Sequence, residues 1–200
     1  MARRLGISET LFLNYLNHKL DGWPILEIRA RLVFLFRLLT VDTVMVYDPT
    51  TLYERNPDHS VTTKAVETAC WMPASEWGHA EHFKAGLTPH APQEKHYFAR
   101  GPQLVNRMVD IGPYIDQKVY ANMANVTQGP VGDTGAQLRK LPLLGDHDET
   151  ANPQYTKEFT LAYDRLRGQA HGLEYAEYFH HIPPDESNLR DYMRNHSVAL

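Results

Sequence analysis

ILEIRARLVFLFRLLTVDTVMVY, running from Ile25 to Tyr47, is the stretch whose reading decides the fold. Between Leu32 and Tyr47 only Arg37 and Asp42 are charged. The β-branched tail after Thr40 could pair as a strand, but 23 residues without a glycine or an internal proline favour one helix, ended by Asp48-Pro49. As a helix, Leu32–Tyr47 would measure about 24 Å at 1.5 Å per residue, short of the roughly 30 Å hydrocarbon core of a bilayer. Arg37 at mid-depth would also be costly in lipid. The stretch is therefore expected to lie in the centre of the protein or under a neighbouring chain or membrane surface. Arg29, Arg31, Leu35 and Arg37 are the residues expected at such an interface, the arginines meeting lipid headgroups or acidic partner residues.

Upstream, Ser8 is a good N-cap, Ile7 and Phe12 are placed as a hydrophobic staple, and Gly22 suits a helix end. A helix over these residues, with the one that follows Pro24, gives an expected helical hairpin in 1–48. Residues 1–40 hold six basic side chains against three acidic ones, whereas the remainder holds 14 against 21. That asymmetry suggests different surroundings for the two parts.

Downstream, ten of the 13 prolines and eight of the 12 glycines fall in 48–153, so long helices and a continuous sheet are hard to fit there. Short helices are expected at Thr62–Trp71 and Gln103–Asp110, with a longer one from Pro113 carrying Ile115, Val119 and Met123 on one face. Helices are expected again from Asn152 to Gly168, from Leu173 to His181 and over 186–195. The resulting fold class is mainly α: an irregular helical protein with a long Pro/Gly-rich, loop-dominated middle and no transmembrane span. Its expected divisions are 1–48, 49–152 and 153–200.

Chemistry is sparse. A net charge of −4 argues against nucleic acid as a partner. The single Cys70 rules out an internal disulfide framework and suits a buried structural thiol. Glu76-Trp-Gly-His79 and Glu177-Tyr-Phe-His180 are both Glu-x-x-His, a pattern that builds carboxylate di-metal centres when carried on long helices. Twelve Glu and 11 His supply such pairs by chance, so they read first as polar helix surface. His79-Ala-Glu-His82 and His180-His181 offer a weaker zinc pattern. Residues 129–135 are glycine-rich but lack the Gly-Lys-Ser/Thr of a phosphate loop, and 145–149 lack calcium-loop spacing. No catalytic, cofactor-binding or metal residue is expected.

These features suggest a non-catalytic accessory subunit of a large assembly, with other protein subunits as partners. A mitochondrial inner-membrane complex, respiratory or ATP synthase, fits the basic N-terminal stretch, although that stretch is neither Ser-rich nor marked by a clear cleavage pattern. The alternatives are a Glu-x-x-His metalloenzyme and a virion structural protein.

Overall fold

The computed structural model of the chain describes residues 1–76, 78–124, 157–158 and 161–184. Its architecture is α/β, not mainly α. A four-stranded mixed sheet has the order β1-β2-β4-β3, with β1 Thr43–Tyr47, β2 Glu94–Phe98, β3 Arg107–Asp110 and β4 Ala176–Ile182. β1 and β2 run parallel, Thr43 opposite Glu94 and Tyr47 opposite Phe98. β4 runs antiparallel to β2, His181 opposite His96 and His180 opposite Tyr97. Among the described residues no helix is long and apolar enough to cross a membrane.

The deciding stretch holds a helix and a strand. α1 covers Ile25–Leu38 and β1 begins at Thr43. The break is Thr40, whose φ of 47° lies in the left-handed region. Glycine or asparagine usually takes that conformation, so nothing in the local composition announces it. The helix expected between Ser8 and Gly22 also does not form. Asn14 and His18 both adopt φ of 57°, which interrupts any helix. The backbone N–H groups of His18 and Leu20 donate instead to the Asp58 carboxylate.

Two compact units can be distinguished: Asn14–Arg107 with Phe179–Leu200, and Met1–Leu13 with Met108–Tyr178. In the first, α1 and α2 (Pro57–Trp71) cover one face of β1 and β2. Val33 and Phe36 of α1 meet Val44 and Val46 of β1, Val66, Ala69 and Cys70 of α2, and Tyr97 of β2. Alternation along β1 sends Val44 and Val46 into this core and leaves Met45 exposed on the opposite face. α2 contains the expected Thr62–Trp71 but starts five residues earlier. Asn56 is its N-cap, accepting from the Asp58 N–H at 3.0 Å, and Pro57 takes the first position. α3 (Ala80–Lys84) is a single turn.

The second unit has its own core of Ile115, Val119, Leu161 and Tyr175. α4 (Ile115–Asn122) presents the expected Ile115 and Val119 inward. α5 (Ala162–Gln169) buries Gly168, where a Cβ would lie 2.8 Å from the Tyr175 backbone. Two helices expected from the sequence give strands instead: Arg107–Asp110 lies within Gln103–Asp110, and Ala176–Ile182 overlaps Leu173–His181 and runs one residue past it. The glycine-rich 129–135, the acidic 145–149, the start of the Asn152 helix and the helix over 186–195 lie outside the described residues.

Candidate active site

Asp48 follows the last residue of β1, and its N–H extends the parallel pairing by donating to the Phe98 carbonyl. It thus stands at the carboxyl end of parallel strands, where open α/β sheets place ligands. Its side chain is buried. Oδ1 accepts from the Thr50 N–H at 2.7 Å and from Thr50 Oγ1 at 2.6 Å, closing a local turn. Oδ2 is buried with no hydrogen-bond partner. His180 Nδ1 lies 3.8 Å away, itself buried and without a hydrogen-bond partner. Leaving a buried acceptor unpaired costs about 1–3 kcal/mol, so both atoms call for a role beyond packing.

A cavity of about 180 Å³ opens beside Asp48, between the end of β1 and the first two turns of α2. Asp48, Glu54, His59 and Thr63 belong to its polar lining, together with Thr51, Ser60 and Lys64. The Thr63 hydroxyl is a third buried polar atom without a partner. His59 is held from three sides. Its ring stacks on Tyr47 at 4.1 Å, its Nδ1 lies 3.2 Å from Glu54 and 3.0 Å from Arg100, and its Nε2 lies 3.3 Å from Asn56. Burial by itself would raise the Glu54 pKa. The Asn56 N–H, His59 and Arg100 together outweigh that and hold it below the usual carboxylate range. The Tyr47 hydroxyl is pushed up, chiefly by burial. The residues around the pocket thus include a buried, unpartnered carboxylate oxygen on Asp48, a buried, unpartnered hydroxyl on Thr63 and the oriented imidazole of His59.

Two other groups of side chains have metal-ligand spacing among the described residues: His79, Glu81 and His82, and Glu94, His96 and His181. The Glu-x-x-His pairs do not form the expected polar helix surface, nor a joint centre. Glu76 and His79 lie in a loop where His79 has φ of 56°. Glu177 and His180 are on β4, where residues three apart face opposite ways. Glu177 pairs with Lys118, and His180 lies against Asp48. For the same reason neighbouring His180 and His181 cannot close on one ion.

The four residues expected at an interface are all on α1. Arg31 pairs with Glu27 at 2.7 Å, Leu35 is half-buried, and Arg29 is half-buried with no ion pair among the described residues. Arg37 is 2% exposed and turns inward, donating to the Ser75 carbonyl and meeting His82 Nδ1 at 2.9 Å. None of the four reaches the cavity. Sequence reasoning took Asp48 only as a helix stop and did not single out His59 or Thr63. The signal available was an acidic residue directly after the strand-like Thr43-Val-Met-Val-Tyr47, followed by Asn56-Pro57-Asp58-His59.

Residues 1–70, which include every residue lining the cavity, match a model of the family described as PIG-L: GlcNAc-PI de-N-acetylase. The fold resembles N,N'-diacetylchitobiose deacetylase from Pyrococcus horikoshii, with a TM-score of 0.69 at 20% identity over 94% of this chain. It also resembles the conserved protein TT1542 from Thermus thermophilus (TM-score 0.64, 22% identity, 89% of this chain and 67% of that one). A third likeness is to GalB, the 4-carboxy-2-hydroxymuconate hydratase of Pseudomonas putida (TM-score 0.53, 14% identity, 94% of this chain and 70% of that one). This chain spans 64% of the length of the Pyrococcus deacetylase. The accessory-subunit reading, with no chemistry of its own in a respiratory complex or ATP synthase, is overturned by these findings. The family model that residues 1–70 match is named for an enzyme activity, and the fold shared with the similar structures is α/β.

Proposed function

We propose that this chain carries a hydrolytic site that removes the acetyl group from an N-acetylated amino sugar. The observation that carries the proposal is the buried Asp48 Oδ2, unpartnered beside a cavity at the carboxyl end of β1. The family and structural likenesses support the substrate class.

In this reading a water bound in the cavity attacks the amide carbonyl carbon, and Asp48 Oδ2 takes its proton. A C–O bond forms as the C–N bond breaks. His59, held at Nδ1 by Glu54 and stacked on Tyr47, turns its protonated Nε2 from the Asn56 amide to the departing nitrogen and gives it that proton. The products are acetate and a free amine. Thr63 donates a hydrogen bond to bound substrate, and His180 acts from behind by positioning Asp48. The 3.8 Å separation closes to a hydrogen bond when substrate fills the cavity.

The test is acetate release from N,N'-diacetylchitobiose and from N-acetylglucosamine by the purified chain. Asp48→Asn keeps the shape and the Thr50 contacts and should lower the rate by about 10²–10⁴-fold, the usual worth of a general base. Absence of acetate release by the wild-type chain, or full activity in Asp48→Asn, would overturn the proposal.

A further inference from the structure

On the face of the sheet that α1 and α2 leave uncovered, Glu94, His96 and His181 converge. Residues two apart on a strand share a face, and His181 stands directly opposite His96 on β4. Three side chains from two rigid, paired strands therefore point at one spot. Glu94 Oε1 lies 2.7 Å from His181 Nε2 and 3.2 Å from His96 Nε2. Tetrahedral bonds of about 2.0–2.1 Å require neighbouring ligand atoms about 3.3 Å apart. The two glutamate–histidine separations would open by about 0.6 and 0.1 Å to reach that value, and all three ligand atoms already lie within 4.8 Å of one another.

We propose that Glu94, His96 and His181 bind a divalent transition metal, zinc first, as a two-histidine, one-carboxylate site with a fourth position open to solvent. The surroundings fit that role. The second oxygen of Glu94 accepts from Thr43 Oγ1 at 3.2 Å, which fixes the carboxylate for single-oxygen ligation. His96 is braced edge-on by Phe179. The His96 and Glu94 side chains keep 20% and 31% exposure, so an ion has a way in. The site lies at the Thr43 end of β1, four residues from the cavity end, or about 13 Å at 3.3 Å per residue. It is thus separate from the proposed hydrolytic site and does not depend on it.

Arg107 acts against the metal. Its Nη2 lies 3.1 Å from His181 Nδ1, so the ring proton sits on Nε2 and points at Glu94. For Nε2 to bind an ion, that proton must leave and the Arg107 contact must open. Arg107 is exposed and can swing into solvent. In the rival group of His79, Glu81 and His82, the corresponding arginine is buried Arg37, anchored to the Pro73 and Ser75 carbonyls and unable to withdraw.

Calorimetric titration of the purified chain with zinc, and visible absorption with cobalt, tests the site. The expected result is one ion per chain and a tetrahedral cobalt spectrum. His96→Ala should weaken zinc binding at least 100-fold, and Glu94→Gln about tenfold. Arg107→Ala removes no ligand and should tighten binding several-fold, an outcome that loss of fold cannot mimic. His82→Ala should change nothing. Unchanged affinity in His96→Ala, or no tightening in Arg107→Ala, would overturn the proposal.

Discussion

Arg37 shows how far a single residue can be misjudged from its neighbours in sequence. On an apolar helix it reads as a cation aimed at headgroups, yet it is buried with the Phe83 ring 4.6 Å from its guanidinium. Burial pulls its pKa down, with Glu81 opposing, and the neighbouring His82 feels the same place. Burial first, then His79 and Arg37, lowers the His82 pKa below its ordinary 6.5, against a raising contribution from Glu81. The folded chain therefore binds fewer protons than the unfolded one just below pH 6.5. The stability that neutral His82 supports is present above pH 6.5 and is lost as pH falls through the folded pKa. Urea unfolding at pH 7.5 and 5.5 should show the wild type losing stability on acidification, and His82→Gln losing less. Equal losses would remove His82 as the cause. Glu54, Glu81 and Glu94, all lowered, act at more acidic pH and leave this window to histidine.

Elements were legible where chain punctuation and burial pattern agreed. α4 was readable because Ile115 and Val119 repeat at helical spacing behind Pro113. α2 was half-readable, since Asn56-Pro57 is a cap and first-turn pair whose significance the surrounding breakers concealed. Asn56→Ala should remove the acceptor for the Asp58 N–H and cost about 1 kcal/mol, read as a lowered urea midpoint with unchanged slope. No shift would mean that water replaces the cap. β1 was hidden because Thr40 makes a left-handed turn without glycine, so helix and strand run together on the page. β4 was hidden for a different reason. Its alternation is blurred, with Ala176, Phe179 and His181 all buried. A strand shielded on both faces loses the polar half of its period and reads like a short helix. The site suffered with the strands: Asp48 becomes meaningful only once β1 ends beside it, and His180 only once β4 turns it toward Asp48 rather than toward Glu177.

At the scale of the whole molecule, the breaker-rich middle did not preclude a sheet, because its strands are four and five residues long and fit between the prolines. Part of the basic charge that makes the chain asymmetric is satisfied within the fold, Arg31 pairing with Glu27 and Arg37 turning inward. Cys70 is buried as expected, on the α2 face that closes over β1 and β2. Burial raises its pKa to about 11, with Lys95 opposing and Glu67 adding to the shift. Since the thiolate is the reacting form, the closed molecule is inert to a thiol-specific dye. One cysteine per chain then makes labelling a clock, each event counting one excursion of α2 away from the sheet. In native buffer at pH 8 the dye should react about 10³-fold more slowly than in concentrated urea, with one label per chain at the end point. Comparable rates in the two solvents would show that the layer over Cys70 is open most of the time, and with it the cavity that the same helix walls.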